Sequence, residues 1–256
     1  MIYDIFTFNG EYDLLEIRLN ILNNYIDKFI IVEFDKTFSG EDKPAYYLQQ
    51  QERYKKWANK INYFNFQENH YNQYLPLAKS SPDTKGAFHW KTEFVMKESI
   101  KDTLIHLKDD DICFIGDVDE IYNPNLIFFD KVHKLKLRVY TYYLNNRSNE
   151  EFWGTIVGKY GNIKGECLNY LRTNAEKTEN YCGWHFTSLK DGLRRKLTNS
   201  YTKETYANDW VMDNLDKNIL ENKAFLGRNF TYKVDESEWP DYLKDNREKY
   251  AHLLQK

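Results

Sequence analysis

Three features make this an α/β chain with a mostly parallel central sheet flanked by helices. Residues 2–34 read as strand, helix, strand, and a βαβ unit of about 30 residues joins parallel strands through a right-handed crossover. The alternation then repeats, with helical spacing over 45–60, a strand over 61–66 and helical spacing again over 86–107. Finally, DDDICFIGDVDEIYN at Asp109–Asn123 holds a short apolar run, Ile112–Ile115, bounded by acids and by Gly116, the pattern of a buried strand that surfaces abruptly. A chain of 256 residues, 41% of them hydrophobic, is long enough for one large domain. No linker divides it, so residues 1–256 are expected to form a single domain with a C-terminal helical extension.

In chain order, IYDIFTF at 2–8 is the first strand, Leu15, Leu19, Leu22 and Ile26 give the first helix its apolar stripe, and Phe29–Phe34 is the second strand. Glu11, Asp13 and Glu16 fall in the first turns of that helix, where carboxylates suit the dipole and are equally placed to meet a ligand. Glu33 ends the second strand, and ligands of open α/β sheets bind in the crevice beyond such strand ends. The polar loop DKTFSGEDKP leaves the same end, and its Lys43 is either solvated or within reach of a diphosphate. Gln67–Lys85 is the longest irregular stretch, of a length that makes a lid or a disordered segment. A helix is expected from Pro124 to about Lys134, then strands over Leu137–Leu144 and Trp153–Tyr160. Tyr142, Asn145, Trp153 and Trp184 are either core or an acceptor-binding wall. His185, between aromatics in GWHFTSL, is either a satisfied core residue or a metal ligand. The basic run Lys190–Lys203, with Arg194, Arg195 and Lys196, is either an exposed helix face or a diphosphate clamp.

Composition removes several function classes. Aromatic residues make up 17% of the chain, and such rings fill a core but also stack on sugars and bases. A net charge of −3 and the lack of a long basic block argue against a nucleic-acid partner. With no leader pattern and no apolar run of about 18 residues, no transmembrane segment is expected, and the chain should be soluble and cytoplasmic unless partners tether it. Cys113, Cys167 and Cys182 are odd in number and lack C-x-x-C spacing, so reduced thiols and no structural zinc are expected.

The chemistry centres on the acidic motif. Asp117 and Asp119, two apart in an extended segment, can point the same way at one hard cation, while the strand also delivers Glu120 toward solvent. Magnesium or manganese takes oxygen ligands, commonly one or two carboxylates, with water and substrate phosphate supplying the rest. A site for a nucleotide diphosphate needs that arrangement. The same pattern, a strand ending in Asp-x-Asp, also opens haloacid dehalogenase-type phosphatases, where the first Asp is the nucleophile. A non-catalytic carbohydrate-binding protein would use the aromatic rings without needing the paired acids.

FNGEYDLLEIRLNIL, IIVEFDKTFSGEDKP, FIGDVDEI and GWHFTSL, in this order and followed by a basic segment, resemble glycosyltransferase family 17. The resemblance implies a GT-A type, Rossmann-like nucleotide-sugar fold, an Asp-x-Asp metal motif at Asp117 and Asp119, and inverting transfer of N-acetylglucosamine from a UDP-sugar to a glycan acceptor. It also favours Glu11, Asp13, Lys43 and His185 as site residues. The animal enzyme of the family is membrane-anchored, whereas this sequence reads as lacking anchor and stem, so a bacterial or viral surface glycan is the expected acceptor. Inversion needs a carboxylate to take the acceptor's proton on the face opposite the leaving group, and Glu204, with Glu151 and Asp209 as alternates, is the candidate base.

Overall fold

The structure, a computed structural model, describes residues 1–80, 88–125, 131–200 and 206–256. Strand β1 (Ile2–Thr7), helix α1 (Tyr12–Leu22) and strand β2 (Lys28–Phe34) form the expected βαβ unit, with Ile5 opposite Ile30 in parallel register. Strand β3 (Ile61–Phe66) adds outside β2, and β4 (Ile112–Asp117) lies on the other side of β1, both parallel. β4 reads as a continuous apolar run because both its faces are covered. Phe114 packs with Phe6, Leu19 and Ile31 on one side, and Cys113 and Ile115 pack with Val95 and Met96 on the other. All four strands send their carboxyl ends the same way, which sets Asp117 beside Thr7.

The second half of the sheet departs from the expected parallel pattern. It holds β5 (Glu120–Tyr122), β6 (His133–Tyr142), β7 (Asn146–Lys159), β8 (Glu176–Leu189) and β9 (Tyr232–Val234), in the overall order β3-β2-β1-β4-β7-β6-β8-β5 with β9 on β7. The β4–β7, β6–β7, β5–β8 and β7–β9 pairings are antiparallel, so the sheet is mixed. Only residues 143–145 join β6 to β7, a hairpin too short for the crossover that a parallel pair requires. β5 follows β4 after two residues yet pairs at the far end of the strand order, so the sheet curls back toward its own centre.

Several helical expectations change. Residues 45–60 hold a short α2 (Tyr46–Gln49) and a 3₁₀ turn, Gln51–Trp57, because the backbone breaks at Gln50. The expected lid resolves over its first part into α3 (Glu68–Tyr71), a 3₁₀ turn and α4 (Leu75–Ser80), while residues 81–87 lie outside the described set. α5 (Phe88–Ser99) passes into a 3₁₀ turn at Ile100 instead of running to Leu107. Of the helix expected after Pro124, residues 126–130 lie outside the described set and Lys134 belongs to β6, where Leu135, Leu137 and Val139 alternate into the core. The remaining α-helices among the described residues are α6 (Tyr160–Ile163), α7 (Leu168–Asn174), α8 (Lys190–Thr198), α9 (Asp209–Leu220) and α10 (Asp241–Asp245).

The C-terminal segment packs Trp239, Leu243, Tyr250 and Leu253 against Leu14 and Ile17 of α1. Cys113, Cys167 and Cys182 are free thiols, and burial pushes Cys113 up to about 12. Among the described residues no helix is long and apolar enough to cross a membrane.

Candidate active site

A cavity of about 400 Å³ opens beyond the carboxyl ends of β1, β2 and β4, where Thr7, Asn9, Phe34, Lys97, Asp117 and Asp119 are among its walls. Three buried polar atoms of residues on this lining, Asn9 Oδ1, Glu93 Oε2 and His185 Nδ1, have no hydrogen-bond partner among the described residues. Buried polar groups are nearly always paired, and these three unpaired ones belong to residues of a single lining.

The acidic turn is held from beneath by Arg18. Its guanidinium is fully buried and forms a bidentate pair with Asp4 of β1, at 2.6 and 2.8 Å. Its Nη1 also donates to the carbonyls of Asp117, Val118 and Glu120 at 2.9, 3.3 and 2.8 Å. The Phe6 ring lies 4.4 Å beneath it. One side chain of α1 thus ties the first strand to the backbone of the acidic motif.

Contrary to the expectation that all three acids enter solvent, Glu120 is buried under the turn. Its carboxylate accepts from Arg172 of α7 at 2.9 Å, Thr155 at 3.0 Å and the Asp117 amide at 3.2 Å. Gly116 and Gly154 make room for it, since a Cβ at either position would come within 2.6 or 2.7 Å of a Glu120 oxygen. α7 is itself fixed by buried Glu98, which accepts the amides of Leu168 and Asn169 at the helix start.

Asp117 accepts from Thr7 at 2.7 Å, Arg172 at 3.1 Å and Lys97 at 3.3 Å. Burial alone would raise its pKa, but Lys97 and Arg172 outweigh that and hold it below the usual carboxylate range. Asp119 behaves alike: burial opposes ionisation, while Lys196 at 2.9 Å and His185 at 3.5 Å, both on Oδ2, hold the carboxyl ionised. Lys97 also pairs with Glu93 at 2.8 Å, one helical turn away. Glu11 shows the opposite shift: burial, and then the nearby charge of Asp119, push its pKa up. Its carboxylate accepts the Asn9 amide at 2.8 Å.

Among the described residues no group of three His, Cys, Asp or Glu is arranged to hold a metal ion. Two ionised carboxylates facing one cavity nevertheless match what magnesium or manganese asks of a protein when phosphate and water complete the shell. Asp117 and Asp119 therefore fit a divalent cation. His185 adjoins Asp119, with its ring stacked on Phe152 at 4.1 Å.

The other sequence candidates divide sharply. Glu11, Lys43, Asp117, Asp119, His185 and Lys196 line the cavity. Glu33 does not face it; fully buried, its carboxylate accepts Lys43, the amides of Tyr46 and Tyr47 and the Tyr63 hydroxyl, so it fixes the start of α2. Asp13 pairs with Arg53 and with His252 at 3.0 Å, tying α1 to the C-terminal segment. Arg194 points away to Asp216 at 2.8 Å, and its neighbours Arg195 and Lys196 turn inward instead. Tyr142, Asn145, Trp153 and Trp184 do not line the cavity: each spends its polar group on a backbone carbonyl, of Lys223, Gln255, Thr178 and Glu238 respectively. Of the candidate bases, Glu151 pairs with Lys136 at 2.6 Å on the outer part of β7, and Asp209 is exposed at the start of α9; neither is on the lining. Glu204 lies outside the described residues.

Sequence reasoning missed Arg18, Glu93, Lys97 and Arg172. The one available signal was Glu93 and Lys97 at i,i+4 in a helix that precedes the acidic strand.

No curated protein matches the chain. The family model for glycosyltransferase family 17 matches residues 1–205, a span that contains the four parallel strands, the acidic turn, α7, α8 and every cavity residue named above. With that match and this arrangement together, the chain belongs to glycosyltransferase family 17.

Proposed function

We propose that this glycosyltransferase transfers N-acetylglucosamine from a UDP-sugar to a glycan acceptor, with inversion and with the help of a divalent cation. The observation that carries the reading is the pair Asp117 and Asp119, ionised side by side in a cavity that also presents Lys97, Arg172 and Lys196. Five cationic and five acidic side chains line the cavity among the described residues, so a divalent cation on the aspartates would leave the net positive charge that a nucleotide diphosphate needs. The parallel half-sheet, with its ligand crevice at the carboxyl ends of β1, β2 and β4, supports a GT-A type fold.

Asp117 and Asp119 would hold the cation, which supplies positive charge against the departing diphosphate. Lys97, Arg172 and Lys196 neutralise phosphate oxygens, and Phe34, Phe38 and Phe152 offer apolar faces to uracil and sugar. Glu11 replaces Glu151 and Asp209 as the carboxylate best placed to receive the acceptor's proton, since its hydrogen bond comes from a backbone amide and not from a lysine or arginine. The phosphatase reading places its nucleophilic aspartate at the end of the first strand, whereas Asp117 ends the fourth. A sugar-binding protein without catalysis would have no use for the paired acids.

Thermal melting with UDP tests the reading. UDP is expected to stabilise the protein only when manganese or magnesium is present, by about 2.7 kcal/mol at a hundredfold excess over Kd. A shift with UDP alone, or none with both, contradicts it.

A further inference from the structure

A second cavity, of about 260 Å³, adjoins the first. Asn9, Glu11, Asp119, Ser188 and Lys196 line both, so one set of side chains serves as their common wall. Its far side is built from Tyr12 of α1, Asp191, Gly192 and Arg195 of α8, and Leu253 of the C-terminal segment.

Two left-handed residues shape this space. Gly10 has φ +86°, and a Cβ there would lie 2.9 Å from the Arg195 guanidinium, which donates to the Gly10 carbonyl. Ser188 has φ +53° although it is not glycine, and it stands on the common wall. Such strain collects at ligand-binding positions.

The lining differs in character from that of the first cavity. Four acids, Glu11, Asp13, Asp119 and Asp191, outnumber three cations, Arg53, Arg195 and Lys196, where the first cavity has as many cations as acids, and Asp13 and Arg53 are already paired with each other. Tyr12 and Leu189 contribute apolar surface between these donors and acceptors. A diphosphate would find no excess of positive charge here. An uncharged ring bearing many hydroxyls would find both hydrogen-bond polarities and apolar faces, in a volume suited to one sugar residue.

We propose that the second cavity receives the terminal, uncharged sugar ring of the acceptor and presents its hydroxyl across the common wall. The inference rests on the first cavity holding the UDP-sugar donor. The acceptor oxygen forms its bond to the anomeric carbon as the bond from that carbon to the phosphate oxygen breaks. The bonding electron pair leaves with UDP, and the hydroxyl proton passes to a wall carboxylate, Glu11.

Gly192 supplies the test. It lines the second cavity and not the first, and a Cβ there meets nothing within 4 Å, so Gly192→Phe adds bulk to open space while improving helix propensity. Saturation-transfer NMR is run on wild type and G192F with UDP and manganese, using the methyl glycosides of glucose, galactose, mannose and N-acetylglucosamine. At least one glycoside is expected to bind wild type and to lose about tenfold or more in affinity in G192F, with the UDP and manganese melting shift unchanged. Asp191→Ala, which adds no bulk, is expected to weaken the same glycoside by about fivefold, the worth of one hydrogen bond. If UDP and manganese leave wild type unaffected, the donor reading fails and takes this one with it. If they bind but no glycoside does, or G192F binds as well as wild type, the acceptor cavity alone is overturned.

Discussion

Replacing Arg18 by Met should uncouple the acidic turn from the rest of the molecule. The change strands Asp4, which is fully buried and whose carboxylate receives two bonds from Arg18. Breaking a buried pair by removing one partner costs roughly 3–5 kcal/mol. The carbonyls of Asp117, Val118 and Glu120 lose their charged donor as well, each worth about 1–3 kcal/mol if left unpaired, so part of that sum is added. Against a total stability of roughly 5–15 kcal/mol, R18M should be severely destabilised in urea titrations. The double variant D4V/R18M removes both ions, and such apolar replacements are often close to neutral. It should therefore recover much of the stability. It cannot restore the three carbonyl bonds, so the manganese-dependent melting shift with UDP should stay lost. A loss below about 1 kcal/mol in R18M, or a UDP response in the double variant equal to wild type, would refute this account of Arg18.

The remaining expectations concern the site and its supports. Asp119→Ala should keep the fold, since its partner Lys196 is half-exposed, but abolish transfer and the shift of about 2.7 kcal/mol that UDP with manganese gives; normal turnover would sink the assignment. Gly116→Ala would place its Cβ 2.3 Å from Thr155 Oγ1 and 2.6 Å from Glu120 Oε2, and displacing those buried groups should cost about 1–3 kcal/mol in chemical denaturation. Asp13 and Glu16 are buried in part, which would raise their pKa values, but Arg53, His252 and Lys249 pull both below their ordinary values. Because the folded values are depressed, this stabilisation is full above the unfolded values, 3.8 and 4.5, and is lost as pH falls below them. Urea titrations from pH 6 to 3 should thus show a steep acid limb in wild type and a shallower one in D13N/E16Q.

The first four strands were legible because their signals are local. Apolar runs of strand length separated by helical spacing leave few ways to build a βαβ unit, and the apolar stretch ending at Gly116 could only be a covered strand. The mixed half of the sheet was less so. Its pairing follows from the three residues between β6 and β7, and the expected strand boundaries around Leu144 and Trp153 hid how short that connection is. Lys43 and Lys196 were named from the sequence and line the cavity, but two further cations left almost no trace, because Lys97 and Arg172 reach Asp117 from helices placed by tertiary packing, the second of them through the cap that Glu98 provides.

Trp184 stands off the cavity for a reason that period-two geometry supplies. Along β8, Trp184 and Phe186 point to one face, where they bury against Trp239, Tyr250 and Leu253, and His185 between them points to the other, onto Phe152 and Asp119. A segment that packs its own C-terminal chain on one face and presents a site residue on the other cannot use both aromatics for a ligand. The side chain that composition marked as the plain choice, a histidine between two rings, was the one aimed at the cavity. The same alternation explains why α8 contributes Lys196 and Arg195 but not Arg194: successive residues on a helix differ by about 100°, so a basic triplet cannot turn all three charges to one ligand. In a run of like residues, the fold and not the composition decides which one meets the substrate.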